Sequence, residues 1–323
     1  MKRREVILLL GGATLGGLPG TRALAQPTKT YRIGILSILR RSSESVFREA
    51  MRDLGYVEGK NVIYEARYSG RADRLAETAA DLVRAKPDVI VTAGGPASAA
   101  AKAATATIPI VLWGAGDPVG TGLVVNISHP GGNITGVTEL STEVTAKRLQ
   151  IFKDLVPRLK RVAVIWNVED LAMSLRFQEA EAAAPRLGLS IVRMPVHDLD
   201  DFETIFAALK RDPPDGVFVV SDRITAQREP ALIDLLRTQR IPSVFEFPPS
   251  ARAGALMSYG PSLEELAPRA AAFVDRILKG AKPGDLPLEA PVRWHLIVNR
   301  KTAVAIGVEI PASILARADE VIE

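Results

Sequence analysis

The sequence predicts an α/β fold: two doubly wound parallel-sheet lobes joined by a multi-strand hinge. Three observations predict it. Short runs that are apolar throughout alternate with amphipathic helical stretches, the pattern of a parallel sheet covered on both faces. The alternation starts afresh at Arg161 with the same punctuation, Pro87-Asp88 being answered by Pro214-Asp215 and Ile108-Pro109-Ile110-Val111 by Ile241-Pro242-Ser243-Val244. Between the two series, residues 131–138 (GGNITGVT) are too short and glycine-rich for another helical unit and read as a crossing strand with a hinge.

The first series opens with a strand at 32–36 and a helix at 43–54, where Val46, Phe47, Ala50, Met51 and Leu54 share one face. Gly55 and Gly59 mark the turn into a strand at 62–68, followed by a helix at 72–85, a strand at 88–92, a helix at 97–106 and a strand at 110–113. The second series runs strand 161–166, helix 171–187, strand 190–194, helix 201–210, strand 216–220, helix 226–240 and strand 243–245. After an apolar run at 255–258, a long helix at 263–278 is closed by Lys279-Gly280-Ala281-Lys282-Pro283-Gly284, and a strand at 292–298 precedes a terminal helical region. Residues 1–25 are expected to be a leader, 26–138 with about 260–282 the N-terminal lobe, and 139–259 with about 283–323 the C-terminal lobe.

The leader rests on Lys2-Arg3-Arg4, a weakly apolar stretch and Ala23-Leu24-Ala25, the small-x-small pattern of a cleavage site. It predicts export and a periplasmic protein beginning at Gln26; the paired arginines also resemble a twin-arginine signal, with Val6 where that pattern usually has Phe. The apolar part is shorter than the roughly 20 residues of a membrane span, and no later run approaches that length. Of 41 Lys+Arg and 37 Asp+Glu, four basic residues and one acidic residue lie in the leader, which leaves 37 against 36. That near-balance argues against a nucleic-acid partner, which needs a surplus of basic residues to displace counterions. The chain has no cysteine, so disulfides, thiolate metal sites and cysteine nucleophiles are excluded.

Catalytic constellations are scarce. His129, His197 and His295 lie far apart without a ligand at helical spacing, so no metal is expected. Neither a GxSxG elbow nor a phosphate-binding GxxxxGK[ST] loop occurs. Gly114-Ala115-Gly116-Asp117-Pro118-Val119-Gly120 follows a strand, but its spacing is GxGxxxG and Asp117 opposes a pyrophosphate, so no nucleotide cofactor is expected and a tight turn is the alternative.

In open parallel sheets, ligands sit beyond the carboxyl ends of the strands. At those positions stand Ser37, Gly95, Pro96, Ser98, Trp113 and Asp117 in the first series and Trp166, Asn167, Asp222 and Glu246 in the second. Gly95 and Ser98, with Pro96 in the first helical turn, suit a ligand carboxylate at a positive helix end. Asp222 and Glu246 suit an ammonium group, and the two tryptophans suit stacking on an aromatic body. The bland alternatives are that Ser98 and Asp222 cap helices, Glu246 faces water and each tryptophan is core. Gly132, Gly136 and Thr138 are the candidate hinge residues, and a β-branched residue at Gly136 is expected to weaken binding while sparing the fold.

Several segments together resemble a known family: residues 55–62 (GYVEGKNV), 108–111 (IPIV), 116–119 (GDPV) with Gly122-Leu123-Val124, 130–137 (PGGNITGV) and 277–280 (ILKG). The chain resembles the ABC transporter substrate-binding proteins of the tryptophan/tyrosine-binding-like group. The resemblance implies a periplasmic-binding fold of the type I kind with three crossovers, no enzymatic activity, a small-molecule ligand (an amino acid or aromatic carboxylate favoured), and an ABC permease with its cytoplasmic ATPase as partners. A monomer is expected. The rival readings are an exported ligand sensor that docks onto a receptor and, more distantly, a nucleotide-dependent enzyme.

Overall fold

A computed structural model describes residues 29–323; the leader expected at 1–25 and its cleavage site lie outside them. The first lobe begins with β1 (Tyr31–Ser37), α1 (Glu44–Asp53), β2 (Val62–Tyr68), α2 (Leu75–Arg84), β3 (Val89–Ala93), α3 (Gly95–Ala104), β4 (Ile110–Ala115) and β5 (Ile134–Thr138). Its strands form one parallel sheet in the order β2-β1-β3-β4-β5. The continuous apolar strands follow from coverage on both faces, because successive side chains point to opposite sides. Ile33, Ile35, Val89, Val91, Val111 and Trp113 enter one layer with Phe47 and Met51 of α1. Leu36, Ile90, Ile110 and Leu112 enter the other with Leu75 and Leu82 of α2 and Ala97 and Ala101 of α3.

The chain then crosses and builds the second lobe from α4 (Thr145–Leu155), β6 (Arg161–Asn167), α5 (Leu171–Ala183), β7 (Ser190–Val196), α6 (Asp201–Arg211), β8 (Gly216–Val219), α7 (Arg223–Thr238), β9 (Ser243–Phe245), α8 (Pro248–Arg252) and β10 (Met257–Gly260). It returns to the first lobe as α9 (Leu263–Leu278). It finishes in the second as β11 (His295–Asn299), α10 (Arg300–Ile306), α11 (Ala312–Leu315) and β12 (Glu320–Ile322). The second sheet is ordered β12-β11-β10-β9-β8-β6-β7. Its β7-β6-β8-β9-β10 part repeats the first sheet's order, as the recurrent punctuation predicts. The extension differs, since β11 is antiparallel to β10. Val162, Val164 and Trp166 pack with Phe152 of α4 and Phe177 of α5, whereas Ala163 and Ile165 pack with Phe202 and Leu209 of α6 and Leu232 and Leu236 of α7.

α9 closes the first lobe. Leu266, Ala267, Ala270, Phe273, Val274 and Ile277 make one apolar stripe against the β1, β3 and β4 layer. The return passage stays in that lobe beyond the expected limit near 282. Thr135 Oγ1 donates to the Leu286 carbonyl at 2.8 Å, and Glu289 exchanges backbone bonds with Gly136 and Thr138, each at 2.9 Å.

The hinge expectation is corrected at two positions. β5 lies wholly in the first sheet, so Gly132 is in the turn before it, Gly136 is inside it, and the crossing proper is 139–144. Gly136 has φ +128°, and a Cβ there would collide with the backbone nitrogen and oxygen of Leu112. Glycine is required by strand contact, so a β-branched residue would damage the fold instead of sparing it. Thr138 stands at the departure point, donating its hydroxyl to the Ala115 carbonyl at 2.9 Å. Among the described residues no helix is long and apolar enough to cross a membrane.

Candidate functional site

The carboxyl ends of both sheets open toward the seam between the lobes, and among the buried polar residues there are Ser37, Thr138, Glu139, Asn167, Ser221 and Glu246. Asp170 and Asp222 fix two of the loops by capping. Asp170 accepts from the Ala172 amide at 2.9 Å, and Asp222 forms a capping box with Thr225, the two bonds each 2.8 Å. Asn167, at the end of β6, donates to the second Asp222 oxygen at 2.6 Å. These two predicted residues are thereby brought together.

Glu246, just past β9, is completely buried. Its carboxylate receives Arg176 Nη1 at 2.7 Å and the Ser221 amide at 2.9 Å, and lies 3.0 Å from Arg148 Nη1. It therefore faces neither water nor a free cleft, and the expected ammonium-binding role is corrected: two guanidinium groups already occupy it. Arg148 also donates Nε to the Tyr259 carbonyl at 2.8 Å. Arg176 continues to Glu139 at 3.0 Å, linking the second lobe to the crossing segment. Burial drives the Arg148 pKa down, whereas Arg176, also opposed by burial, is raised because Glu246 and Glu139 outweigh it. Burial raises the Glu139 pKa, against the pull of Arg176 and Arg41.

The Gly114–Gly120 turn is explained by this network. A Cβ on Gly114 would lie 2.8 Å from Glu139 Oε1, one on Gly116 would collide with Arg176 Nη2, and one on Gly120 would come within 2.9 Å of Leu175 on α5. The turn is a socket for the other lobe's α5. Asp117 closes it by accepting the Gly120 amide at 2.8 Å.

Other predicted residues serve the scaffold. Ser98 is fully buried, donates to the Gly94 carbonyl at 2.8 Å and lies 2.8 Å from Thr92 Oγ1. Its hydroxyl is spent beneath the α3 terminus, away from any ligand carboxylate. Gly95 and Pro96 open α3 and remain partly exposed. Ser37 is buried and donates to the Leu39 carbonyl at 2.6 Å. Trp113 stacks on Phe47 with centroids 5.4 Å apart, and Trp166 on Phe177 at 3.7 Å; both are core, so the expected stacking on a ligand is corrected.

Sequence reasoning missed the arginines. Arg41 follows β1, its guanidinium 5.8 Å from the Trp113 ring centre and close to Gly94. Arg223 is the first residue of α7. The signal was present: Arg40-Arg41 shortly after the first strand, Arg223 directly after a predicted site aspartate, and Arg176 as an isolated cation within a helical stretch. Burial raises the Asp170 pKa, Arg176 opposing and Asp222 adding, so the two aspartates form an acidic corner beside the arginines. A hollow of about 490 Å³ lies elsewhere, lined by Lys147, Gln150, Glu179 and Arg186, and includes none of the strand-mouth residues.

Comparison with known proteins adds the following. The family described as ABC transporter substrate binding protein matches residues 39–322. A tyrosine-binding protein of Clostridioides difficile is 25% identical over 287 residues, covering 87% of this chain and 82% of that protein. A conserved domain protein from Vibrio cholerae superposes with a TM-score of 0.85 at 26% identity, over 91% of this chain and 100% of its own. An ABC domain from Streptococcus pneumonia in complex with L-Trp gives 0.84 at 23%, with the same coverage, and shows the shared fold.

Proposed function

The chain belongs to the ABC transporter substrate-binding proteins, a non-enzymatic solute-binding family, and from that premise we propose that it closes its two lobes on a small organic ligand and delivers it to a membrane permease driven by a cytoplasmic ATPase. The ligand class favoured is an amino acid or an aromatic carboxylate. One observation carries the reading: oppositely charged groups, Arg41 and Arg223 with Asp170 and Asp222, converge on one seam from loops at the carboxyl ends of the two sheets. Such a seam suits a ligand that carries a carboxylate, and the relatives include one named for tyrosine binding and one solved with L-Trp. The protein acts as a monomer in the periplasm, outside the permease, which is consistent with the leader read from the sequence.

The test is titration of residues 26–323 with L-tyrosine, L-tryptophan and simple aromatic carboxylates, followed by melting temperature and calorimetry. A ligand at 100 times its dissociation constant stabilises the folded form by about 2.7 kcal/mol, a shift well above scatter. Saturable binding by a member of this panel supports the reading; no shift from any of them rejects the proposed ligand class.

A further inference from the structure

The seam between the lobes is rich in hydrogen-bond donors and poor in free acceptors. Arg41 Nη1 and Trp113 Nε1 on the first lobe, and Arg176 Nε, Arg223 Nε and Ser221 Oγ on the second, are buried without a hydrogen-bond partner. The nearby carboxylates are already engaged, although Glu246 Oε1 has only the charge of Arg148 Nη1, 3.0 Å away, and no well-formed hydrogen bond. Glu246 holds two arginines and an amide, Glu139 holds Arg176, Asp222 holds Thr225 and Asn167, and Asp170 holds the start of α5. A buried donor with no acceptor is costly, and a guanidinium is the most demanding donor of all. An acceptor from outside, a ligand or water, would complete these donors.

Arg41 and Arg223 are placed to share it. They come from opposite lobes, one after β1 and the other at the first turn of α7; burial lowers the Arg223 pKa, Asp222 and Asp170 oppose it, and Arg41 lies close enough for its charge to add to the lowering. Burial likewise lowers Arg41, with only Glu139 opposing. Two like charges pressed together in a drying seam repel each other. An anion between them turns that repulsion into two attractions.

We propose that Arg41 and Arg223 form a two-sided clamp for the carboxylate of the ligand, and that this anion is what permits the lobes to close. The proposal rests on the reading that the seam is the ligand site, and it moves the carboxylate away from Ser98, where the sequence alone would put it. The planar forks of the two arginines match a carboxylate's pair of oxygens. The carboxylate is then obligatory, because it neutralises the clamp.

The experiment compares wild type (residues 26–323) with Arg41→Gln, Arg223→Gln and Arg41→Lys. The probes are L-tyrosine, L-tryptophan, 3-(4-hydroxyphenyl)propionate, tyramine and inorganic phosphate. Calorimetry reads affinity, and small-angle scattering without any probe reads lobe separation. The clamp predicts that the three carboxylates lose about tenfold to hundredfold affinity in either glutamine variant. It predicts that tyramine, lacking the carboxylate, binds the glutamine variants no more weakly than wild type, since they close more readily, and that phosphate does not compete. Without a probe, each glutamine variant shifts toward the closed form, while Arg41→Lys, which keeps the charge, does not. Carboxylates bound by the glutamine variants as tightly as by wild type overturn the clamp. So does tyramine binding that falls in parallel, and phosphate competing on its own would replace the carboxylate by an inorganic oxyanion. If no aromatic probe binds wild type, the proposed ligand class fails, and scattering alone decides the clamp: unchanged separation in both glutamine variants overturns it.

Discussion

The two lobes share a strand order but treat buried charge differently. In the first lobe, buried Glu44 takes hydrogen bonds from Arg48 and the Tyr68 hydroxyl, and buried Asp275 takes them from Tyr56 and Lys279. Their cationic partners reach solvent, Arg48 being 26% and Lys279 67% exposed. In the second lobe, Glu246, Arg148 and Arg176 are at most 1% exposed, and the chain of pairs runs on to the crossing segment. At the seam the division is sharper still. The first lobe contributes missing side chains at Gly114 and Gly116, and Glu139 of the crossing segment and Arg176 of the second lobe fill the space. A common topology thus leaves the chemistry free to be divided unequally, and groups buried at the strand mouths are tied to closure where groups buried on a lobe's flank are not.

The most damaging way to probe this contrast is to break one pair in each lobe. Arg148→Ala leaves Glu246 with one guanidinium in a fully buried place and should cost about 3 to 5 kcal/mol. Arg48→Ala, which removes a partly exposed cation from buried Glu44 and leaves it the Tyr68 hydroxyl and a path to water, should cost clearly less. Urea unfolding of the two variants measures both, and equal losses would abolish the distinction.

The socket comes next. In Gly116→Val the added carbons meet the Arg176 guanidinium, so the closed form should be disfavoured while each lobe keeps its core. A closed population reduced by roughly tenfold raises the apparent dissociation constant by the same factor. Calorimetry with a bound probe and scattering without one should change together; unchanged affinity would show that the lobes close without seating Arg176.

The smallest effect concerns the strands that only the second lobe has. Glu320 on β12 is held below the ordinary carboxylate range mainly by the hydrogen bond from Arg252, with its slight burial opposing. Its contribution is complete above the ordinary carboxylate pKa and is lost as pH falls through the lowered folded value, because the unfolded chain takes up the proton first. Glu320→Gln should remove less than about 1 kcal/mol at neutral pH and flatten that acid limb. Stability curves from pH 7 down to acid, compared with wild type, would reveal it; a steeper limb in the variant would contradict the sign.

How legible the molecule is in its sequence follows from the same contrast. β2, β9 and α9 have the bounds that apolar pattern and glycine punctuation predict. α4 was missed because its buried face includes Thr145 and Arg148, which interrupt the apolar period. α8 was missed because Pro248-Pro249 reads as a breaker, although proline suits a first helical turn. The strand-mouth rule located the seam but not its chemistry. Trp113 alternates with Leu112 and so turns into the α1 layer, and Glu246 is claimed by arginines on helices that carry no ligand motif. A period of two or of 3.6 residues is local, whereas the pairing of Arg148, Arg176 and Glu246 depends on three elements distant in sequence.

The position of α9 bears on how the chain assembles. The apolar layer of Phe47, Val91 and Trp113 is sealed by a helix that arrives only after β6, β7, β8, β9 and β10. In order of synthesis, the first lobe is begun first and completed almost last. Loop-closure cost rises only slowly with the length of chain between partners, so the finished protein loses little stability by this. The burden is kinetic: a fragment ending before Leu263 carries a finished sheet with one apolar face open to water, exposed until the second lobe has been threaded through. The two lobes are therefore separate in shape, yet the first cannot be completed until the chain has passed through the second.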